Sequence, residues 1–96
     1  MNNKTILITG GTGSFGKKFA ENVLKKFKPK KLIIFSRDEL KQFEMSNNQI
    51  FKNSKILRFF IGDVRDFDRL KIAFKDVDYV FHAAALKQVP SCEFFP

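Results

Sequence analysis

The sequence predicts an α/β fold built on a parallel sheet, on three observations. Short apolar runs alternate with amphipathic stretches along the chain. The runs are continuously apolar, as in strands covered on both faces, rather than alternating as in half-exposed ones. The first run ends in a glycine-rich turn that opens straight into a helical pattern, which is the context that gives such a turn meaning.

Ile6, Leu7 and Ile8 form the first strand. Gly10, Gly13 and Gly16 follow, three apart, in G-x-x-G-x-x-G spacing. The first helix comes next, with Phe15, Phe19, Val23 and Phe27 recurring every four residues and Ala20 and Leu24 beside them. One face is therefore apolar. Lys17, Lys18, Glu21, Asn22, Lys25 and Lys26 fill the solvent face, and Pro29 ends the helix. Lys31 to Ser36 is a second buried strand. Asp38 can cap a second helix that turns Leu40 and Phe43 inward and Lys41 and Glu44 outward. Asn53-Ser54 reads as a turn, and Ile56 to Ile61 as a third strand closed by Gly62. Asp66 caps a third helix with Phe67, Leu70, Ala73 and Phe74 on one face. After a turn at Asp76 to Asp78, Tyr79 to Ala85 makes a fourth apolar strand. The order is βαβαβαβ. Right-handed crossovers give the Rossmann order 3-2-1-4, with helices on both faces.

Composition narrows the function classes. At 96 residues the chain has room for one small domain. No run of 18 apolar residues exists, so a membrane span is not expected. Met-Asn-Asn-Lys-Thr leads directly into the first strand and leaves no room for a signal peptide, which points to the cytoplasm. The single Cys92 excludes an internal disulfide, and no Cys/His cluster has metal-ligand spacing. The net charge of +8 raises nucleic acid as a partner. Seven of the eighteen basic residues lie between Lys17 and Lys31, on a helix face and beside a turn, with no interleaved aromatic to stack a base. Solvated lysines are the better reading, and no nucleic-acid partner is expected.

The glycine turn is a cradle for the pyrophosphate of a dinucleotide. Backbone N–H groups and the positive end of the helix dipole face the phosphates, and a Cβ would block the close approach. The residue about twenty positions on usually takes the adenosine ribose; here it is Ser36, not an acid, followed by Arg37 and, one turn on, Lys41. A hydroxyl, a guanidinium and an ammonium suit a 2′-phosphate, so NADP is favoured over NAD. Asp38 and Glu39 could bond a ribose or simply charge the helix N-terminus, and Arg37 could be a surface arginine paired with Asp38. Asp63 can accept from the adenine amine with Val64 against the ring, or can support its own turn with Arg65. Ala83, Ala84 and Ala85 let a cofactor lie against backbone, or pack against the first helix. His82 is a strand histidine satisfied by neighbours. Lys87 lies where a substrate cation is useful, or is a solvated loop lysine.

Four segments in order (Ile-Thr-Gly-Gly-Thr-Gly-Ser-Phe-Gly, Ser-Arg-Asp-Glu-Leu-Lys-Gln, Phe-Ile-Gly-Asp-Val-Arg-Asp and His-Ala-Ala-Ala-Leu-Lys-Gln-Val-Pro) closely resemble the extended short-chain dehydrogenase/reductases. More narrowly they are similar to the UDP-N-acetylglucosamine 4,6-dehydratases of bacterial surface-glycan and pseudaminic acid pathways, the inverting type most of all. The resemblance implies that Gly10 and Thr12, Gly13, Ser14, Phe15 and Gly16 hold the pyrophosphate. It places Ser36, Arg37, Asp38, Glu39, Leu40 and Lys41 at the ribose and 2′-phosphate, and Asp63 and Val64 at adenine. Ala83 and Ala84 would back the cofactor, and Lys87 would reach the substrate. It further implies a UDP-sugar substrate, a homo-oligomer at full length, oxidation at sugar C4, loss of water across C5 and C6, and hydride return at C6.

Members of that family need a Tyr-x-x-x-Lys pair. The one tyrosine, Tyr79, is followed four residues on by Ala83, so no catalytic residue is assigned in residues 1–96. The expectation is the N-terminal half of the sheet, a partial NADP-binding domain without the catalytic and UDP-sugar-binding parts. Alone it should lack turnover, and its fourth strand would be an exposed apolar edge prone to self-association. A non-catalytic NADP-binding regulatory module is the alternative.

Overall fold

The computed structural model describes residues 2–10 and 12–83. Ala84, Ala85, Lys87 and Cys92 lie outside the described residues. The elements are β1 (Thr5–Thr9), α1 (Ser14–Lys26), β2 (Lys31–Ser36), α2 (Glu39–Ser46), β3 (Leu57–Ile61), α3 (Phe67–Phe74) and β4 (Tyr79–His82).

The four strands form one parallel sheet in the order β3-β2-β1-β4, as the sequence predicts. β1 lies between β2 and β4 and is buried along its whole length. Its register, Ile6 opposite Leu32 and Tyr79, sets the alternation of faces. Ile6, Ile8, Leu32, Ile34 and Leu57 point to the face covered by α1 and α2, where they meet Ala20, Val23 and Met45. Leu7, Phe35 and Val80 point to the opposite face, covered by Ala73 and Leu70 of α3. The strands read as continuously apolar because both faces are covered.

Three inward assignments are corrected. Leu40 and Phe43 are 66% and 65% exposed; the buried residues of α2 are Gln42 and Met45. The phase of α2 is set by its cap and by the Gln42 amide, which satisfies backbone carbonyls of two strands, and this outweighs apolar spacing. Phe67 is 75% exposed, and only Ala73 of α3 is buried. Phe15 and Phe27 lie on the rim of their helix face rather than in the core, Phe27 because α1 has ended at Lys26. β4 stops at His82, short of the Ala83 expected within it; Ala83 is buried against the α1 side of the sheet.

Candidate functional site

Every βα turn opens at one end of a parallel sheet, beyond the carboxyl ends of the strands, and ligands of such sheets bind there. The strand order reverses between β1 and β4, so the crevice lies above β1. Its floor is rigid: the Gly10 amide donates to the Phe35 carbonyl at 2.9 Å and the Gly62 amide to the Ser36 carbonyl at 2.9 Å, carrying the sheet ladder into both turns.

The turn after β1 has three properties. Gly10 has φ 69°, a left-handed conformation that favours glycine. Gly13 is the N-cap of α1 with extended backbone, φ −75°. Among the described residues, a Cβ built there would meet only the Gly10 carbonyl oxygen, at 3.6 Å, an ordinary contact. The packing of the described residues therefore leaves room for a side chain at 13. Third, α1 has no side-chain cap and no acid in its first turn. The Gly13 amide donates to the Gly10 carbonyl, and the Lys17 amide to the Gly13 carbonyl. Among the described residues nothing accepts from the amides of Ser14, Phe15 and Gly16, which are the donors a helix start leaves over. Thr12 and Gly16 are buried beside them.

The other two helices are closed by their own side chains. Asp38 accepts from the Lys41 amide at 3.0 Å and Asp66 from the Arg69 amide at 3.2 Å. Asp38 thus serves α2, and its pairing with Arg37 is not observed. Arg37 instead reaches Asp63, Nη1 to Oδ2 at 3.4 Å. Asp63 is gripped more closely by Arg65, whose Nη2 donates to Oδ2 at 2.7 Å and whose amide donates to Oδ1 at 2.9 Å. The Arg65 side-chain bond, then its backbone amide, hold the Asp63 carboxyl far below the usual carboxylate range, and the same pair raises the Arg65 guanidinium. Asp63 stays ionised and acceptor-only. Val64 beside it is exposed.

Ser36 is buried, and its Oγ accepts from Gln42 Nε2 at 2.9 Å. The same amide reaches the Ser36 carbonyl at 3.3 Å and the Phe60 carbonyl at 3.2 Å. Gln42 therefore fixes the ends of β2 and β3 under α2. Sequence reasoning missed it because a polar residue in the Ser36 to Gln42 run gives no apolar signal. Glu39, Leu40 and Lys41 follow on the exposed first turn of α2. Thr9 Oγ1 lies 2.6 Å from His82 Nδ1, and partial burial lowers the imidazole pKa. Ala83 packs in the cluster that holds Ala20 and Val23, so the packing reading of that alanine holds.

A cleft of about 280 Å³ joins the glycine turn to α2, and Lys17 and Lys41 both line it. Lys17, expected on a purely solvated face, belongs to this end of the molecule. A larger cleft of about 520 Å³ lies at the opposite end, around Lys4, Lys30 and Asp76. That end presents strand starts and helix C-termini, whose dipoles disfavour anions. The chemistry favours the smaller cleft. Among the described residues no group of His, Cys, Asp and Glu is placed to hold a metal ion, and no helix is long and apolar enough to cross a membrane.

Residues 6–96 match the family described as polysaccharide biosynthesis protein. The chain is 62% identical, over 99% of its length, to a UDP-N-acetylglucosamine 4,6-dehydratase (inverting) of Campylobacter jejuni, of which it covers 28%. It is 56% identical, over 97% of its length, to a UDP-glucose 4-epimerase of Rickettsia bellii, of which it covers 27%. Among solved structures, the X-ray structure of Pen from Bacillus thuringiensis superimposes with a TM-score of 0.80 at 45% identity, over 97% of this chain and 29% of that one. The chain thus spans little more than a quarter of the length of these relatives. It belongs to the polysaccharide biosynthesis protein family.

Proposed function

We propose that this member of the polysaccharide biosynthesis family is the NADP-binding portion of a nucleotide-sugar 4,6-dehydratase acting on UDP-N-acetylglucosamine. The observation that carries the reading is Gly13: a position where the fold has room for a Cβ, next to three helix-start amides with no acceptor. A ligand diphosphate uses both that space and those donors. The 62% identical dehydratase supports the substrate class.

A bound nicotinamide would supply the hydride chemistry of the reaction, accepting from sugar C4 and donating at C6 on either side of the loss of water across C5 and C6. The residues of this chain bind and orient. The amides of Ser14, Phe15 and Gly16 hold the diphosphate, with Gly10 and Thr12 shaping the turn. The segment from Ser36 to Lys41 holds the adenosine ribose and its 2′-phosphate, and Arg37 and Lys41 supply charge. Asp63, kept ionised, accepts from the adenine amine beside Val64. Ala83 backs the cofactor; the resemblance assigns the same role to Ala84 and a substrate-side role to Lys87, both outside the described residues. The residue that takes the C4 hydroxyl proton lies in a Tyr-x-x-x-Lys pair, which residues 1–96 do not contain. These 96 residues alone are therefore inactive. The whole enzyme works in the cytoplasm as a homo-oligomer.

The test is titration with NADP⁺ and NAD⁺ by calorimetry. Gly13→Ala should weaken NADP⁺ binding by about tenfold or more, roughly 1.4 kcal/mol. Its melting temperature should hardly move, because a poorer N-cap and a stiffer unfolded chain are opposed and small. Arg37→Ala should narrow the preference for NADP⁺. Equal binding of both dinucleotides, unchanged by either substitution, would remove the cofactor reading. A second reading, a UDP-sugar 4-epimerase, is favoured by the Rickettsia relative. It predicts C4 inversion with no loss of water, which product analysis separates.

A further inference from the structure

We propose that Lys17 is a selectivity residue for the 2′-phosphate, forming with Lys41 a two-helix clamp on that group. This rests on the NADP reading above and adds to it a residue outside the strand-end motif.

The cleft beside the glycine turn has two walls. Gly13, Ser14 and Lys17 come from the start of α1; Lys41, Glu44 and Asn48 come from α2 and the residues after it. The two lysines thus belong to different helices and line one space of about 280 Å³. Neither lysine is in an ion pair among the described residues, whereas Arg37 is engaged by Asp63. Lys17 and Lys41 are the cations that line this cleft, and neither has a carboxylate partner among the described residues. A dianion placed between them also lies near the positive end of α1, which has no acid in its first turn.

Glu44 lines the same cleft. With both lysines the cleft is net positive; with one neutralised it is balanced. Removing Lys17 should therefore matter more than removing a lysine elsewhere on α1. A ribose 2′-hydroxyl needs neither cation, so the effect must fall on the phosphorylated cofactor alone.

The experiment uses the full-length enzyme and measures affinity for NADP⁺, NAD⁺, 2′,5′-ADP and 5′-ADP. Lys17→Gln should weaken NADP⁺ and 2′,5′-ADP by about tenfold and leave NAD⁺ and 5′-ADP unchanged. Lys17→Arg should restore most of the preference, and Lys26→Gln, the same charge removed from the far end of α1, should change none of the four. Equal losses for all four ligands, or no loss for any, would overturn the clamp while leaving the cofactor reading in place. If the unmodified enzyme binds neither NADP⁺ nor 2′,5′-ADP, the clamp and the cofactor reading fall together.

Discussion

The turn after β1 and the turn after β3 sit at the same end of the same sheet, and each leads from a strand into a helix. They are finished in opposite ways. After β3 the helix start and the charged groups find partners within the protein: Asp66 caps α3, Asp63 is held by Arg65 and Arg37, and Arg69 Nε donates to the Ile61 carbonyl at 2.7 Å. Gly62 is there because the protein fills the space, since a Cβ would come within 2.7 Å of Phe35 Cζ and 2.8 Å of Arg69 Cγ. After β1 the helix start has no side-chain cap, and Gly13 borders space that the described residues leave open. A glycine demanded by packing and a glycine beside open space look alike in sequence. What a Cβ would strike tells them apart.

The sharpest way to break the contrast is to finish the first turn like the second. Gly13→Asp would put a carboxylate where Asp38 and Asp66 stand on α2 and α3, and the extended backbone at 13 suits an N-cap. We expect the cap to add roughly a few tenths of a kcal/mol, and the stiffer unfolded chain to bring the total toward about 1 kcal/mol by thermal unfolding. NADP⁺ affinity should fall by roughly a hundredfold or more, about 2.7 kcal/mol, because the new carboxylate takes the amides and repels the diphosphate. Unchanged binding would mean that the amides are not the anion site.

Gly62→Ala tests the packed glycine. Arg69 lies over the Phe60 ring at 4.3 Å, and Phe60 stacks on Phe35 at 5.7 Å, so the backbone has little room to retreat. We expect a loss of about 1–3 kcal/mol in chemical unfolding. A variant as stable as the parent would show that the Arg69 stem moves aside freely. Asp66→Ala removes a cap that α1 never had, and should cost about 1 kcal/mol by the same measurement.

The smallest effect is that of pH on Asp63. Its native pKa is lowered, so the stabilisation it brings is present above the unfolded carboxylate value of about 3.9. That stabilisation is lost as pH falls from there toward the native value. The group is partly exposed and its arginine partners are well exposed, so solvent screening keeps the gain small. Thermal melts at pH 6 and pH 3 should show a shallower acid loss in Asp63→Asn than in the parent. An identical slope would remove the Arg65 pair as a contributor.

The sheet and its order were legible because continuous apolar runs and short βα turns leave a parallel sheet few topologies. Both aspartate caps were legible from local chemistry alone. What was not legible was helix phase. The eight-residue α2 buries Gln42 in preference to Leu40 and Phe43, because an amide that answers the Ser36 and Phe60 carbonyls outweighs apolar area that only tertiary contacts could value. Within the site, the glycine turn could be read from spacing and the Asp63–Arg65 pair from local sequence, but the Arg37–Asp63 link could not. It joins the ends of two strands 26 residues apart, and only the sheet brings them together. Lys17 was hidden for the same reason, since a lysine on a polar helix face carries no mark of the neighbouring helix.

β1 is hydrogen-bonded on both sides, and none of its residues reaches solvent to any extent. Freeing one of its amides means parting it from β2 and β4 at once, so deuterium should enter Ile6, Leu7 and Ile8 last of all. The glycine turn is tethered to the slowest-opening strand of the sheet. Local breathing elsewhere, at frayed helix ends or outer strands, would leave the glycine turn assembled.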